Sequence, residues 1–229
     1  TASSLKKTVD FSISFDDTQL VPAQSVKILG IVFDQELAMR QQTSRVVQRC
    51  YSNLITISKI RDTLPKSTLV ELVRSLVFPH VTYCLPAWAP PTKQERLRME
   101  KVINHAVRVV TRKRKFDHIS EARKGLGWLS FNDTIYYRDC SLVHSIIYQE
   151  GAPARLKALV SSRADVSQRS TRATASGVLH VPRARLERTR MAVPIRPLNA
   201  WNALDAATRD CRGVHAFKKR VKRAVSCRV

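Results

Sequence analysis

The chain has 229 residues, 44% hydrophobic and 25% charged, a balance that excludes a wholly disordered polypeptide and supplies a core without disulfide or metal staples. Forty Lys and Arg against eighteen Asp and Glu give a formal net charge of +22, an excess that opposes compaction by self-repulsion and points to a polyanionic partner. Six glycines are too few for Gly-rich phosphate loops or collagen-like repeats, and the longest apolar runs, such as Leu69 to Phe78, are too short and interrupted to span a membrane.

In chain order, Val9 to Phe15 alternates apolar and polar residues, the period of a half-buried strand. Val26 to Phe33 is a second β-rich run, and Asp16 to Ser25 between them is long enough for a loose hairpin. Gly30 inside the second run predicts a bulge or a close backbone approach. Helical spacing follows. Val46, Val47, Cys50, Tyr51, Leu54 and Ile57 predict a helix from about Glu36 to Asp62, stopped before Pro65. Ser67 or its neighbour caps the next helix, with Leu69, Val70, Val73, Leu76 and Val77 facing inward, and Pro79 kinks or ends it. Pro86, Pro90 and Pro91 mark a linker or sharp turn. Thr92 and Glu95 read as a capping box for a helix carrying Met99, Ile103, Ala106 and Val110 on one face. Its basic end, Arg112 to Lys115, suits the helix dipole.

Gly125 and Gly127 bracket a turn. Asn132 or Asp133 caps a helix to about Gln149, with Tyr136, Cys140, Val143 and Ile147 aligned, and a short helix covers about Ala154 to Val160. Residues 161–177, rich in Ser, Thr and Arg, read as an exposed loop. Short strands are expected at Val178–Val181 and Arg188–Ile195, and helices at Leu198–Arg209 and Val214–Cys227. The fold class is therefore mainly α, with a β-hairpin at the start and short strands near the end.

Five widely spaced cysteines without a C-x-x-C pair suit a reducing, intracellular compartment, nuclear or nucleocytoplasmic for a basic protein. The chain opens on Thr1 without Met or an apolar leader and reads as a piece of something longer.

Candidate chemistry separates into weak and strong signals. Asp16-Asp17 has the look of a two-metal carboxylate pair, but such a site needs a third carboxylate from an earlier strand, and only Asp10 precedes it. A solvated hairpin loop is the plainer reading. Cys211 and His215, with Cys227 beyond, lack a second pair to complete a zinc site. His80, His105, His118, His144 and His180 are scattered, without a hydrolase signature. The cationic clusters are stronger. Residues 93–124 carry a net +7 and residues 161–229 a net +12, while residues 125–160 are neutral and read as core. The candidate nucleic-acid-binding residues are Arg112, Lys113, Arg114 and Lys115; Arg183 and Arg185, within a run continued by Arg188 and Arg190; and Lys218, Lys219, Arg220, Lys222 and Arg223. Solvated helix faces normally mix signs, and these do not. Arg in particular suits phosphate oxygens.

Several ordered segments resemble the C-terminal portion of reverse transcriptases of non-LTR (LINE-type) retrotransposons. Val26-Lys27-Ile28-Leu29-Gly30-Ile31-Val32-Phe33-Asp34 resembles the V-K-x-L-G-x-x-x-D strand that follows the catalytic palm and forms the primer grip. Leu64-Pro65, then Pro79-His80-Val81-Thr82-Tyr83-Cys84 with Trp88, then Leu126-Gly127-Trp128-Leu129 follow in the family's order. Val181-Pro182-Arg183-Ala184-Arg185, Pro197, Trp201-Asn202-Ala203-Leu204 and Phe217-Lys218 complete it, with Asp205 where such sequences often carry Pro. The resemblance implies an end of palm at residues 1–35, a helical thumb-like domain at 36–124 and a basic C-terminal helical domain at 125–229. It implies that Leu29 and Gly30 contact nucleic acid, where a residue without Cβ lets backbone approach a primer. It also implies that this part is non-catalytic: the palm aspartates and their Mg²⁺ belong upstream, so no cofactor is expected in this chain. The implied partners are RNA, DNA or an RNA–DNA hybrid and the upstream palm, without a membrane. The alternative is an independent RNA-binding or protein-interaction module derived from such an element. Trp88, Trp128 and Trp201 are expected to be core anchors rather than stacking platforms.

Overall fold

The computed structural model describes residues 12–16, 18–161 and 178–226. Two small antiparallel hairpins come first. Strands β1 (Ile13–Phe15) and β2 (Thr18–Leu20) pair with Ile13 opposite Leu20. The partner of the first strand is thus Thr18–Leu20, inside the segment expected to be a loop. Strands β3 (Ser25–Ile28) and β4 (Ile31–Asp34) pair with Ile28 opposite Ile31. The run Val26 to Phe33 is therefore a hairpin in itself, not one bulged strand. Leu29 and Gly30 form its turn with φ of +46° and +85°, the left-handed pair that matches the twist of flanking strands.

Helices build the rest. Helix α1 (Arg40–Ile60) buries Val46, Cys50, Leu54 and Ile57, the expected stripe. Its start lies after Glu36 because Asp34 first closes a turn, accepting from the Ala38 amide at 2.8 Å. Helix α2 (Lys66–Leu76) begins after Pro65, without a side-chain cap from Ser67, and buries Leu69 and Val73, while Leu76 is 45% exposed. Pro79 breaks the ladder, giving a separate α3 (Phe78–Thr82). The expected linker at Pro86 contains a one-turn helix α4 (Leu85–Trp88). Helix α5 (Lys93–Thr111) is capped by the Thr92 hydroxyl, which accepts from the Glu95 amide. Helix α6 (Ser120–Leu126) ends on Gly127 at φ +63°.

Helix α7 (Phe131–Tyr148) is capped by Ser130 rather than Asn132 or Asp133, its hydroxyl accepting from the Asp133 amide at 3.1 Å. Its inward face also differs from the expected one. Ile135, Cys140, Val143 and Ile146 are buried, and Ile147 is exposed. After α8 (Ala154–Ala158), the loop expected at 161–177 lies, beyond Ser161, outside the described residues, as do Val9 to Phe11, Asp17 and Cys227. At Val178–Val181 only Leu179 makes an isolated bridge. The strand expected at Arg188–Ile195 is instead a one-turn helix α9 (Glu187–Arg190) leading into α10 (Ile195–Asn202). The helix expected at Leu198–Arg209 is split, because Asp205 caps a new turn, α11 (Ala206–Arg209), by accepting from the Thr208 amide. Helix α12 (Val214–Ser226) buries Phe217, Val221 and Val225.

Two apolar clusters result. The first joins α1, α2, α4 and α5 with Phe131 and Ile135 of α7. The second joins Cys140 and Val143 of α7 with Leu198, Trp201, Phe217, Val221 and Val225. Helix α7 belongs to both, so the neutral block at 125–160 is core along that helix, while α8 near its end buries no side chain. Trp88, Trp128 and Trp201 are buried as anchors, at 0%, 8% and 2% exposure.

Candidate nucleic-acid interface

The β3–β4 turn is held out from the body by a short relay. The Trp88 indole donates to the Tyr83 carbonyl at 2.7 Å, and the Tyr83 hydroxyl donates to the Leu29 carbonyl at 3.0 Å. Leu29 is 84% exposed at the tip, in a left-handed conformation unfavourable for a branched side chain. Gln42 on α1 accepts from the Val32 amide at 3.0 Å, fixing β4 to the helix. Between turn, α1 and α3 lies a cleft of about 630 Å³, lined by Gly30, Gln42, Arg45, Gln48, Arg49, Ser52, His80 and Tyr83. Among the described residues no carboxylate lines it. Burial, then the Arg49 guanidinium, lowers the His80 pKa, so that imidazole stays neutral at neutral pH and offers hydrogen bonds rather than charge. Two guanidiniums, two amides and two hydroxyls beside the Cβ-free Gly30 form a surface suited to sugar–phosphate.

Toward the C-terminal end of α1 a second cleft, about 710 Å³, is lined by Arg61, Lys101, His105, Arg108, Lys113 and Lys115 together with Tyr51 and Asn104. Burial, followed by Arg108 and Arg61, lowers the His105 pKa. The four-cation run after α5 is divided in its duties. Arg112 donates to the carbonyls of Arg61 and Leu64 at 2.8 and 3.1 Å, closing the end of α1. Lys113 donates to the His118 carbonyl at 2.6 Å, and Lys115 lies 5.4 Å from the Phe116 ring centroid. The exposed Arg114 has its backbone amide bound by Asp117.

On α12 the burial of Phe217, Val221 and Val225 turns Lys218, Lys219, Arg220, Lys222 and Arg223 outward together. Arg220 is drawn back to the Ala207 carbonyl at 2.6 Å. Arg183 and Arg185 are exposed, whereas Arg188 pairs with Glu36 at 3.7 Å and Arg190 with Glu187 at 3.9 Å. The two main clusters line different clefts: Lys113 and Lys115 the second one, and Lys222 a third. Sequence reasoning missed Arg45, Arg49, Gln48 and His80. Their signal was the polar stripe Arg45, Arg49, Ser52 at four- and three-residue spacing on α1, just after the Gly30 hairpin.

Asp16 lies beside the β1–β2 turn with φ +47°. Among the described residues no three His, Cys, Asp or Glu side chains converge to hold a metal ion. Asp10 and Asp17, the other carboxylates of that segment, lie outside the described residues. Among the described residues, no helix is long and apolar enough to cross a membrane. No family model, curated protein or solved structure matches this chain.

Proposed function

We propose that this chain is the non-catalytic C-terminal part of a non-LTR-type reverse transcriptase, gripping template–primer nucleic acid by its sugar–phosphate backbone. The observation that carries the reading is a coincidence of motif and surface. The segment Val26 to Asp34, which carries the primer-grip resemblance, folds as a hairpin whose Leu29–Gly30 turn rims a cleft holding Arg45 and Arg49 without a described carboxylate. The strained, exposed turn fits this role, since strained backbone concentrates at functional sites. The outward cations of α12 add a second positive surface.

Binding of a labelled RNA–DNA hybrid, measured by anisotropy from about 50 to 200 mM salt, tests the grip. If six or more cations meet phosphates, affinity falls by about 10³-fold or more over that range. Arg45→Ala with Arg49→Ala weakens binding and flattens the slope of log affinity against log salt by about two. A slope near zero overturns the reading and leaves a protein-interaction module. Primer extension with Mg²⁺ and dNTPs yields no product if the part is non-catalytic; extension overturns that.

A further inference from the structure

A third cleft differs in chemistry from the other two by setting an aromatic wall beside its cations. It encloses about 480 Å³ where α2, α3, α5, α7 and α12 meet, within the about 300–1,000 Å³ typical of small-ligand sites. Phe78, Trp128 and Tyr137 line it along with Arg74, Arg138 and Lys222. Phe78 meets Trp128 edge-on, with ring centroids 4.7 Å apart and planes at 76°, which fixes both rings in place. Phe78 and Tyr137 are half-buried, so each keeps surface open to the cleft. The buried Trp128 indole N–H has no hydrogen-bond partner among the described residues.

The cations arrive from three separate helices, α2, α7 and α12, and among the described residues no carboxylate lines the cleft. Arg74 does pair with Glu71 at 2.9 Å, but both groups are largely exposed, and water screens a pair of that kind. A phosphate can therefore take the guanidinium over at little cost. Apolar rings beside convergent, sign-pure cations match a single-stranded nucleotide, its base against the aromatic wall and its phosphates on the rim. A duplex cannot present an unstacked base to such a wall, and an acidic peptide would use the rim but leave the rings unused.

We infer that this cleft seats one base of a single-stranded RNA or DNA segment, with Arg74, Arg138 and Lys222 holding the flanking phosphates. The inference rests on the nucleic-acid-binding reading above and adds a strand-specific site to it. The full chain is titrated with three probes: a twelve-residue oligouridine, an abasic strand of equal length and charge, and a twelve-base-pair RNA–DNA hybrid. Stacking predicts that oligouridine binds about tenfold tighter than the abasic strand. Tyr137→Ala removes most of that advantage while hybrid affinity holds. Arg138→Ala with Lys222→Ala, both on the surface and so tolerated by the fold, weakens oligouridine and abasic strand alike. Equal affinity for base-bearing and abasic strands in the wild type overturns the inference, as does a base advantage undiminished in Tyr137→Ala. If the hybrid binds and the base advantage is absent, this site alone fails. If none of the three probes binds, the wider reading fails with it.

Discussion

Arg112 opens the run of four cations, yet its guanidinium closes the end of α1 through two carbonyls. A cation in a basic run thus serves as a helix stop, and its removal acts on the fold before it acts on any ligand. Asp34 is similar: a motif residue whose carboxylate shapes the turn into α1. The cysteines divide in the same way. Cys50 is fully buried, and burial pushes its thiol up to about 12, while Cys84 is exposed. Since the thiolate is the reactive species, maleimide at pH 7.5 labels Cys84 in the native protein and reaches Cys50 only in denaturant. Mass spectrometry of the labelled peptides checks the order; prompt native labelling of Cys50 contradicts the buried placement.

At the scale of elements, end groups decide where helices break. Asp205 caps α11, and its hydrogen bonds with Thr208 outweigh burial and hold its carboxyl below the ordinary 3.8. Because the folded-state pKa is the lower one, the charge contributes fully above about pH 4 and is lost as pH falls through the folded value. Asp205→Ala costs about 1 kcal/mol near neutral pH, and urea titrations show the deficit shrinking toward pH 3. Apolar periodicity makes α1 and α5 legible in the sequence, because their stripes answer to one neighbouring layer. It misplaces the inner face of α7, where the spacing selects Ile147 and the fold buries Ile146, because that helix turns toward two different clusters along its length. The α9 segment defeats pattern reading for another reason. With no buried side chain, it carries no stripe, and Arg188 fixes it from outside by reaching the Glu36 carbonyl. Asn202 shows what a motif letter conceals: its amide exchanges two 2.9 Å hydrogen bonds with the Leu179 backbone, supplying the pairing that a second strand would have given.

Across the whole molecule, one buried ion pair ties the clusters together. Arg196 on α10 grips Asp139 on α7 with two hydrogen bonds, at 2.7 and 3.1 Å, and donates to the carbonyls of Pro86, Ala89 and Met191. Burial raises the Asp139 pKa against the pull of Arg196 and then Arg96, so the pair is costly to form and costly to halve. Arg196→Met or Asp139→Leu alone destabilises by about 3–5 kcal/mol, and the double variant loses less than the sum of the two; urea midpoints of the three variants measure the coupling. None of this is legible in the sequence, where Arg196 counts as one more cation in a basic tail. The same holds for the cleft at Gly30: the motif locates the turn, but Arg45 and Arg49 join it only through the direction α1 takes after Asp34. Helix α7 has a consequence for inheritance. A breakpoint between Ile135 and Cys140 leaves each core its own wall residues but cuts the hydrogen-bond ladder of the helix that supports both. Recombination there hands on two halves that each end in a broken helix, and trimming the C-terminal flank removes Phe217, Val221 and Val225 from the second core outright.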